Sequence, residues 1–354
     1  MRAEDGAVKQ QNRLDNLDYL RGLSALSIML YHYSTWSIGQ LSARSFLGRA
    51  GIYGVAIFYI LSGLTLAYVY QGRLGPDLST TVGFFKKRFF RIYPLLWLAT
   101  IISIIISKKP IHLADVLLNL SGLFGFVKWD TYFATGAWSI GNELVFYTLF
   151  PILIYIFSKK NIYAALLLLL ITAGHLFFAY QVIHPFEPLA AQWREYANPL
   201  NQLLYFAGGL VLCLLFYDRK CSNLTAVLFT ALGLGTFILL PSLPQAADIV
   251  TGTNRLIFTI SCFALCLGFF KLRYAFPLVV HAPLTWLGRA SYSVYLLHPI
   301  VYSVMKALVK IAANHHFTIA PGFLIAVSIT VTLCLSYFTY KYFESYFIRL
   351  GHKV

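Results

Sequence analysis

The first long apolar stretch of the chain carries ionisable side chains that a lipid bilayer makes costly. Arg21 and His32 are eleven residues apart, which on an α-helix is about three turns or about 16 Å, so they lie on nearly the same face. Asp18 precedes Arg21 by three residues and can pair with its guanidinium. This spacing predicts a cation near the cytoplasmic membrane surface and an imidazole deeper in the membrane, and both are functional candidates.

Polar side chains also interrupt three other apolar stretches. Ser62 lies in a Leu-Ser-Gly sequence, Glu143 follows Trp138 and Ser139, and His298 precedes a proline. The directions in which these stretches cross the membrane bring Ser62, Glu143 and His298 to the depth of His32. Intramembrane ionisable groups are functional candidates by default. We therefore predict that the side chains share one site.

Each of these positions also has a structural interpretation. Ser62 is followed by a glycine, which is typical of close helix packing, and Glu143 can simply pair with an arginine. His298 can equally serve as a hydrogen-bonding group within the helix bundle. His175 has no polar neighbours in its apolar stretch, so we interpret it as a packing residue.

A basic cluster precedes the third apolar stretch. Arg88 and Arg91 share a helical face, and Lys86 and Lys87 stand directly before them. Arginine side chains bind phosphate oxygens in a bidentate manner, so a phosphorylated donor arriving from the cytoplasm suits this position. The alternative is an anchor that contacts anionic lipid headgroups.

Some ten apolar stretches are long enough to cross a bilayer, and they predict an all-α integral membrane protein. The polar N-terminal tail is predicted at 1–19, the transmembrane domain at 20–347 and a C-terminal tail at 348–354. A further apolar piece, 116–127, is too short to span and is predicted to be re-entrant or interfacial. The predicted spans are 20–39, 51–70, 89–107, 140–157, 161–180, 199–216, 223–240, 255–270, 292–311 and 319–341.

Composition and charge agree with a membrane protein. Hydrophobic residues make up 58% of the 354 and charged residues 12%, which excludes an ordinary soluble domain. The net charge of +15 would otherwise suggest nucleic acid as a partner. If the N-terminus is inside, about two thirds of the lysines and arginines face the cytoplasm. The charge is thus explained by topology, with both termini cytoplasmic, and no nucleic acid partner is expected.

Motifs of soluble enzymes are absent from the sequence. It contains no P-loop, dinucleotide-binding, hydrolase or zinc-protease motif. The five cysteines form no CxxC pair, so neither a zinc site nor a disulfide framework is indicated. No metal is expected. The chemistry therefore depends on the polar groups described above.

Five sequence blocks resemble the acyltransferase-3 family of bacterial membrane acyltransferases. The resemblance extends from about residue 14 to 347. The blocks are LDYLRGL at 17–23 with YHY at 31–33, GVAIF at 54–58 with LSG at 61–63, KRFFRIYP at 87–94, WSIGNELVFY at 138–147 and LGRASYSVYLLHP at 287–299. Two positions depart from the family pattern: Leu64 stands where phenylalanine is usual, and Gly136 stands where many members have a histidine.

The resemblance implies a multi-pass enzyme of the bacterial inner (plasma) membrane. It would move an acyl group, commonly acetyl from acetyl-CoA, to a hydroxyl of a cell-surface carbohydrate such as an exopolysaccharide, an O-antigen or a lipid-linked glycan. Arg21, His32, Arg88 and Arg91 match residues regarded as functional in the family. Further block residues are expected to support the site, namely Tyr147, Tyr292, Ser293 and Tyr295.

These expectations combine into one mechanism. Arg88 and Arg91, with Lys86 and Lys87, would hold the phosphates of acyl-CoA, the donor substrate, and no permanently bound cofactor is expected. His32 would deprotonate the acceptor hydroxyl, with Glu143 orienting its ring. Direct transfer and a covalent acyl-enzyme both remain open.

Two other classes of protein are compatible with the polar residues. A transporter or flippase could use the same histidine and glutamate side chains as a proton relay. A non-catalytic membrane partner in glycan assembly would need none of them. The sequence shows no internal repeat of the kind common in transporters, which favours the enzyme. It gives no indication of the oligomeric state.

Overall fold

The structure is a computed structural model that describes residues 2–72, 78–107, 110–274 and 276–353. Helices account for all the regular secondary structure of these residues. They are α1 (Arg2–Ser37), α2 (Phe46–Tyr70), α3 (Leu78–Ile106), α4 (Leu113–Ser121), α5 (Phe124–Val127), α6 (Ala137–Ser158), α7 (Ile162–Phe177), α8 (Trp193–Tyr196), α9 (Pro199–Phe216), α10 (Asn223–Leu239), α11 (Ala246–Ile249), α12 (Gly252–Lys271), α13 (Leu278–Arg289), α14 (Ser291–Asn314), α15 (Pro321–Phe338) and α16 (Ser345–Lys353). A π-helical turn, Phe178–Val182, extends α7, and another, Thr339–Glu344, joins α15 to α16.

The predicted all-α membrane architecture is confirmed. In the part of the chain that the structure describes, 8 helices are long and apolar enough to cross a membrane. The predicted spans 20–39 and 223–240 coincide with α1 and α10, which are not among the 8. α10 has 17 residues, and α1 carries the polar side chains described above. The count of ten spans and the cytoplasmic position of both termini therefore stay predictions.

The predicted tails are not separated from the bundle by a break in the helices. α1 begins at Arg2, so the polar residues before the first span belong to the same helix, and α16 continues to Lys353. The short apolar piece 116–127 forms α4 and α5 instead of a span, as predicted. α5 packs closely against α6, where a Cβ on Gly125 would lie 2.4 Å from the backbone oxygen of Gly141.

Two close helix crossings hold the centre of the bundle together. α2 crosses α9 at Gly63 and Gly209, where an added Cβ would lie 2.0 Å from the oxygen of Phe206 and 2.1 Å from that of Ile60, respectively. α1 crosses α13 at Gly288, where a Cβ would lie 2.1 Å from the oxygen of Asp18. Because only glycine permits such backbone contact, these crossings determine where α1 and α2 present their polar side chains.

The crossing of α2 and α9 gives the first testable prediction. Gly209→Ala places a methyl group against backbone that cannot move aside, and we expect it to lower the free energy of unfolding by about 1–3 kcal/mol. Gly235→Ala on α10 is the matched control because its Cβ would meet open space. Unfolding in detergent measures both. Equal stabilities of the two variants would contradict the proposed contact.

Candidate active site

A cavity of about 280 Å³ lies between α1, α2, α3, α6 and α14. These are the helices that carry the five sequence blocks. Ten of the side chains predicted from the sequence line it: Asp18, Arg21, Ser62, Arg88, Arg91, Ser139, Glu143, Tyr147, Tyr292 and Tyr295. The cavity thus brings together residues that are distant in the chain.

Glu143 is held by two hydroxyl groups on one side of the cavity. Ser62 Oγ donates a hydrogen bond of 2.9 Å to Glu143 Oε1, and Tyr147 OH donates one of 2.5 Å to the same oxygen. The two hydroxyl oxygens are 3.0 Å apart. Among the described residues no arginine lies within salt-bridge distance of Glu143. The carboxylate is therefore fixed between α2 and α6 and points into the cavity.

Four arginines line the same cavity: the exposed Arg289 and the three predicted site residues Arg21, Arg88 and Arg91. Arg21 forms the predicted ion pair with Asp18 at 2.5 Å and lies 3.3 Å from Thr65 Oγ1. Arg88 lies over the Tyr147 ring, 5.8 Å from its centre, and its Nε atom is buried without a hydrogen-bond partner in the described structure. Unpartnered buried donors call for an explanation. An anion that enters the cavity would supply their partner.

The positive charge of Arg91 is partly compensated by a buried carboxylate that no sequence pattern indicated. Glu344 is 3% exposed, accepts a hydrogen bond from Ser293 Oγ and interacts electrostatically with Arg91. Tyr292 OH donates to the backbone oxygen of Ile92 at 2.8 Å, which fixes α14 against α3 beside Arg91. Ser293 thus supports the wall of the cavity without lining it. Lys86 and Lys87 are half-buried and do not line it either.

The two histidines predicted for the site form a pair outside this cavity. His32 Nδ1 is 2.8 Å from His298 Nε2, and their rings are nearly parallel with centres 5.1 Å apart. Trp36 stacks on His32 with ring centres 4.8 Å apart. Tyr33 OH donates to the backbone oxygen of His298 at 2.9 Å. Glu143 was predicted to orient the His32 ring, but the side chain that contacts His32 is His298.

Tyr295 lies at the junction of the cavity and the histidine pair. It lines the cavity, and its ring centre is 6.0 Å from that of His298. Its hydroxyl donates to the backbone oxygen of Gly136 at 3.2 Å and accepts from Ser139 Oγ at 2.8 Å. The single site predicted from membrane depth is therefore two neighbouring clusters that meet at Tyr295.

The geometry around Gly136 explains its departure from the family pattern. Gly136 has φ = 90°, in the left-handed region that favours glycine. A Cβ there would lie 3.3 Å from the Tyr295 ring, so Tyr295 occupies the space that a side chain at 136 would need. The neighbouring Trp138 packs edge-on against Trp193, with ring centres 5.2 Å apart.

His175 is buried and hydrogen-bonded, in agreement with its interpretation as a packing residue, and its polar partners come from other helices. Arg255 is 2% exposed, and its Nη2 lies 3.1 Å from His175 Nδ1 and 2.5 Å from Asn201 Oδ1. His175 Nε2 lies 3.4 Å from Thr259 Oγ1. Arg255 is the first residue of the predicted span 255–270. The contact between His175 and Arg255 joins residues 80 apart in the sequence, so no local sequence pattern indicates it.

The cluster around Arg255 can be tested by its effect on stability. Arg255→Met keeps much of the side-chain volume but leaves buried acceptors on Asn201 and His175 unpaired, at about 1–3 kcal/mol each. We expect a clear loss of unfolding free energy in detergent. Arg44→Met is the control because Arg44 is exposed at a surface loop. If both variants unfold at the same denaturant concentration, the cluster does not stabilise the bundle.

Comparison with known proteins defines the class of the chain. A family model described as an acyltransferase domain matches residues 14–341. The chain therefore belongs to the acyltransferase-3 family, which favours the enzyme hypothesis over the transporter hypothesis. No solved structure gives a significant match.

Several curated proteins are similar to the chain over most of its length. YrhL of Bacillus subtilis (strain 168) is 22% identical over 365 residues, which cover 94% of this chain and 54% of YrhL. The peptidoglycan O-acetyltransferase OatA of Listeria monocytogenes is 22% identical, with 84% of this chain and 53% of OatA covered. The O-acetyltransferase OatA of Staphylococcus aureus is 24% identical, with 96% and 58% covered. The chain spans just over half the length of these relatives.

Proposed function

We propose that the protein transfers an acetyl group from acetyl-CoA to a hydroxyl of a cell-surface glycan at the bacterial plasma membrane. The observation that carries this proposal is the convergence of Arg21, Arg88 and Arg91 on one cavity beside the histidine pair. The names of the OatA relatives support acetyl as the acyl group and a glycan such as peptidoglycan as the acceptor. Family membership supports acyl transfer as the reaction.

Arg88 and Arg91 are suited to bind the phosphates of the donor. Neither forms a salt bridge within the described residues, and Arg88 Nε is buried without a partner. Arginine binds phosphate oxygens with paired, charge-assisted hydrogen bonds. Arg21 adds a third cation, which Asp18 partly neutralises. The donor would thus be anchored through its charged end, with its flexible arm free to reach the histidine pair.

His32 is suited to act as the general base. It would take the proton of the acceptor hydroxyl as that oxygen attacks the thioester carbonyl. The new carbon–oxygen bond forms, the carbon–sulfur bond breaks, and the CoA thiolate leaves and receives the proton from His32. The bonds formed and broken and the proton transferred therefore balance, and no further reactant is needed. A preceding transfer of the acetyl group to a protein side chain would use the same two clusters.

The role of His32 is tested by His32→Ala in cells that lack the native gene. We expect the O-acetyl content of the surface glycan, measured by NMR, to fall to that of cells without the protein. His315→Ala is the control because His315 is exposed at the end of α14. Immunoblotting of membranes verifies equal insertion. Normal acetylation by a stably inserted His32→Ala protein would show that His32 is not the base.

The donor site is tested by calorimetry with acetyl-CoA on purified protein. The double variant Arg88→Ala and Arg91→Ala removes charge-assisted hydrogen bonds of about 1.5–3 kcal/mol each, so affinity should fall by about a hundredfold or more. The double variant Arg44→Ala and Arg349→Ala, which removes two exposed arginines, controls for net charge. An unchanged dissociation constant for the double variant would rule out the phosphate role.

A further inference from the structure

Hydrogen bonding determines which nitrogen of His298 carries a proton. His298 Nδ1 is 3.1 Å from the backbone oxygen of Val294. A carbonyl oxygen can only accept, so Nδ1 must be the protonated nitrogen. In a neutral imidazole the other nitrogen, Nε2, then has a free lone pair. Nε2 of His298 is therefore an acceptor.

The same reasoning extends to His32. Its Nδ1 lies 2.8 Å from this acceptor on His298, so Nδ1 of His32 is the donor and carries the proton. Nε2 of His32 is left with its lone pair and has no hydrogen-bond partner among the residues that the structure describes. His32 is only half-buried, so a substrate hydroxyl can approach Nε2. A chain of two hydrogen bonds, from His32 through His298 to the Val294 carbonyl, selects one base atom.

His298, which determines the tautomer of His32, is held rigidly by its neighbours. His298 is completely buried, and the aromatic ring of Tyr33 lies beside it with centres 6.0 Å apart. Tyr33 OH bonds both the backbone oxygen of His298 and Thr332 Oγ1, the latter at 2.6 Å. Trp36 lies parallel to the His32 ring and prevents it from turning over. These contacts therefore hold the two rings in the orientation that pairs His32 Nδ1 with His298 Nε2.

We propose that His298 is a positioning residue that fixes the tautomer of His32 so that His32 Nε2 is the proton-accepting atom of the reaction. This inference rests on the proposed function, in which His32 is the base. When Nε2 takes the hydroxyl proton, His32 becomes an imidazolium whose Nδ1–H remains bonded to His298. The proton on Nε2 then passes to the leaving thiolate, and His32 returns to its starting form. A third group that orients the base plays the same part in catalytic triads.

The test compares two substitutions of His298. Glutamine keeps a carbonyl acceptor for the His32 Nδ1–H, whereas leucine has similar bulk and none. Activity is measured as CoA thiol release and label transfer from acetyl-CoA in membranes that contain the native acceptor. We expect His298→Leu to lower kcat by about 10–100-fold, the range for groups that orient a catalytic ligand or base. The KM for acetyl-CoA should not change, and His298→Gln should restore most of kcat.

A double variant separates positioning from a structural role. Because His298 acts through His32, adding His298→Leu to His32→Ala should cause no further loss of activity. If His298→Leu keeps its kcat while His32→Ala is inactive, the inference fails and the proposed function stands. If leucine and glutamine are equally impaired, or if the double variant loses more than His32→Ala, His298 has only a packing role. Activity of His32→Ala itself would overturn the proposed function instead.

Discussion

The cost of placing charged groups in a bilayer shapes the arrangement of these helices. Most of the buried ionisable side chains have a partner on another helix or an adjoining turn. Arg255 binds His175 and Asn201, Lys271 donates to the backbone oxygens of Phe216 and Arg219, and Glu344 accepts from Ser293. Each contact joins segments that are distant in the sequence. The polar groups therefore select which helices pack together, in addition to any catalytic role.

Arg88 stands out against this background because it faces a cavity instead of a protein carboxylate. A buried Nε without a partner is unfavourable in the empty protein. A phosphate group of the proposed donor would remove that cost, so part of its binding energy would come from satisfying a group that folding left unsatisfied. Arg91 differs from Arg88 because the nearby Glu344 carboxylate stabilises the positive charge of its guanidinium group. Arg88 thus has an unsatisfied donor that an anion could bind, whereas the charge of Arg91 is partly compensated by Glu344.

Local sequence determines some parts of this arrangement and leaves others open. The spans could be predicted because hydropathy is a property of each stretch alone. Ser62 and Glu143 could be predicted to lie together because the membrane depth of a residue depends only on its position along its helix. Depth does not give rotation about the helix axis, and so it paired His32 with Glu143 instead of His298. Glu344 follows the predicted span 319–341 and was missed because it lies in the π-helical turn, whose inward orientation hydropathy does not signal.

The separation between the arginines and the histidine pair has an electrostatic consequence for the proposed reaction. His32 gains a positive charge in the transition state, and a neighbouring guanidinium would oppose this. At an effective dielectric constant of about 20, two unit charges repel by about 3 kcal/mol at 5 Å but by only about 1 kcal/mol at 16 Å. The spacing of Arg21 and His32 along α1 corresponds to about the larger distance. A donor with a long neutral arm can bridge that gap, with its phosphates beside the cations and its thioester beside the base. In the proposed reaction, the separation of the two clusters that meet at Tyr295 would allow the cations to bind the donor at only a small electrostatic cost to proton transfer.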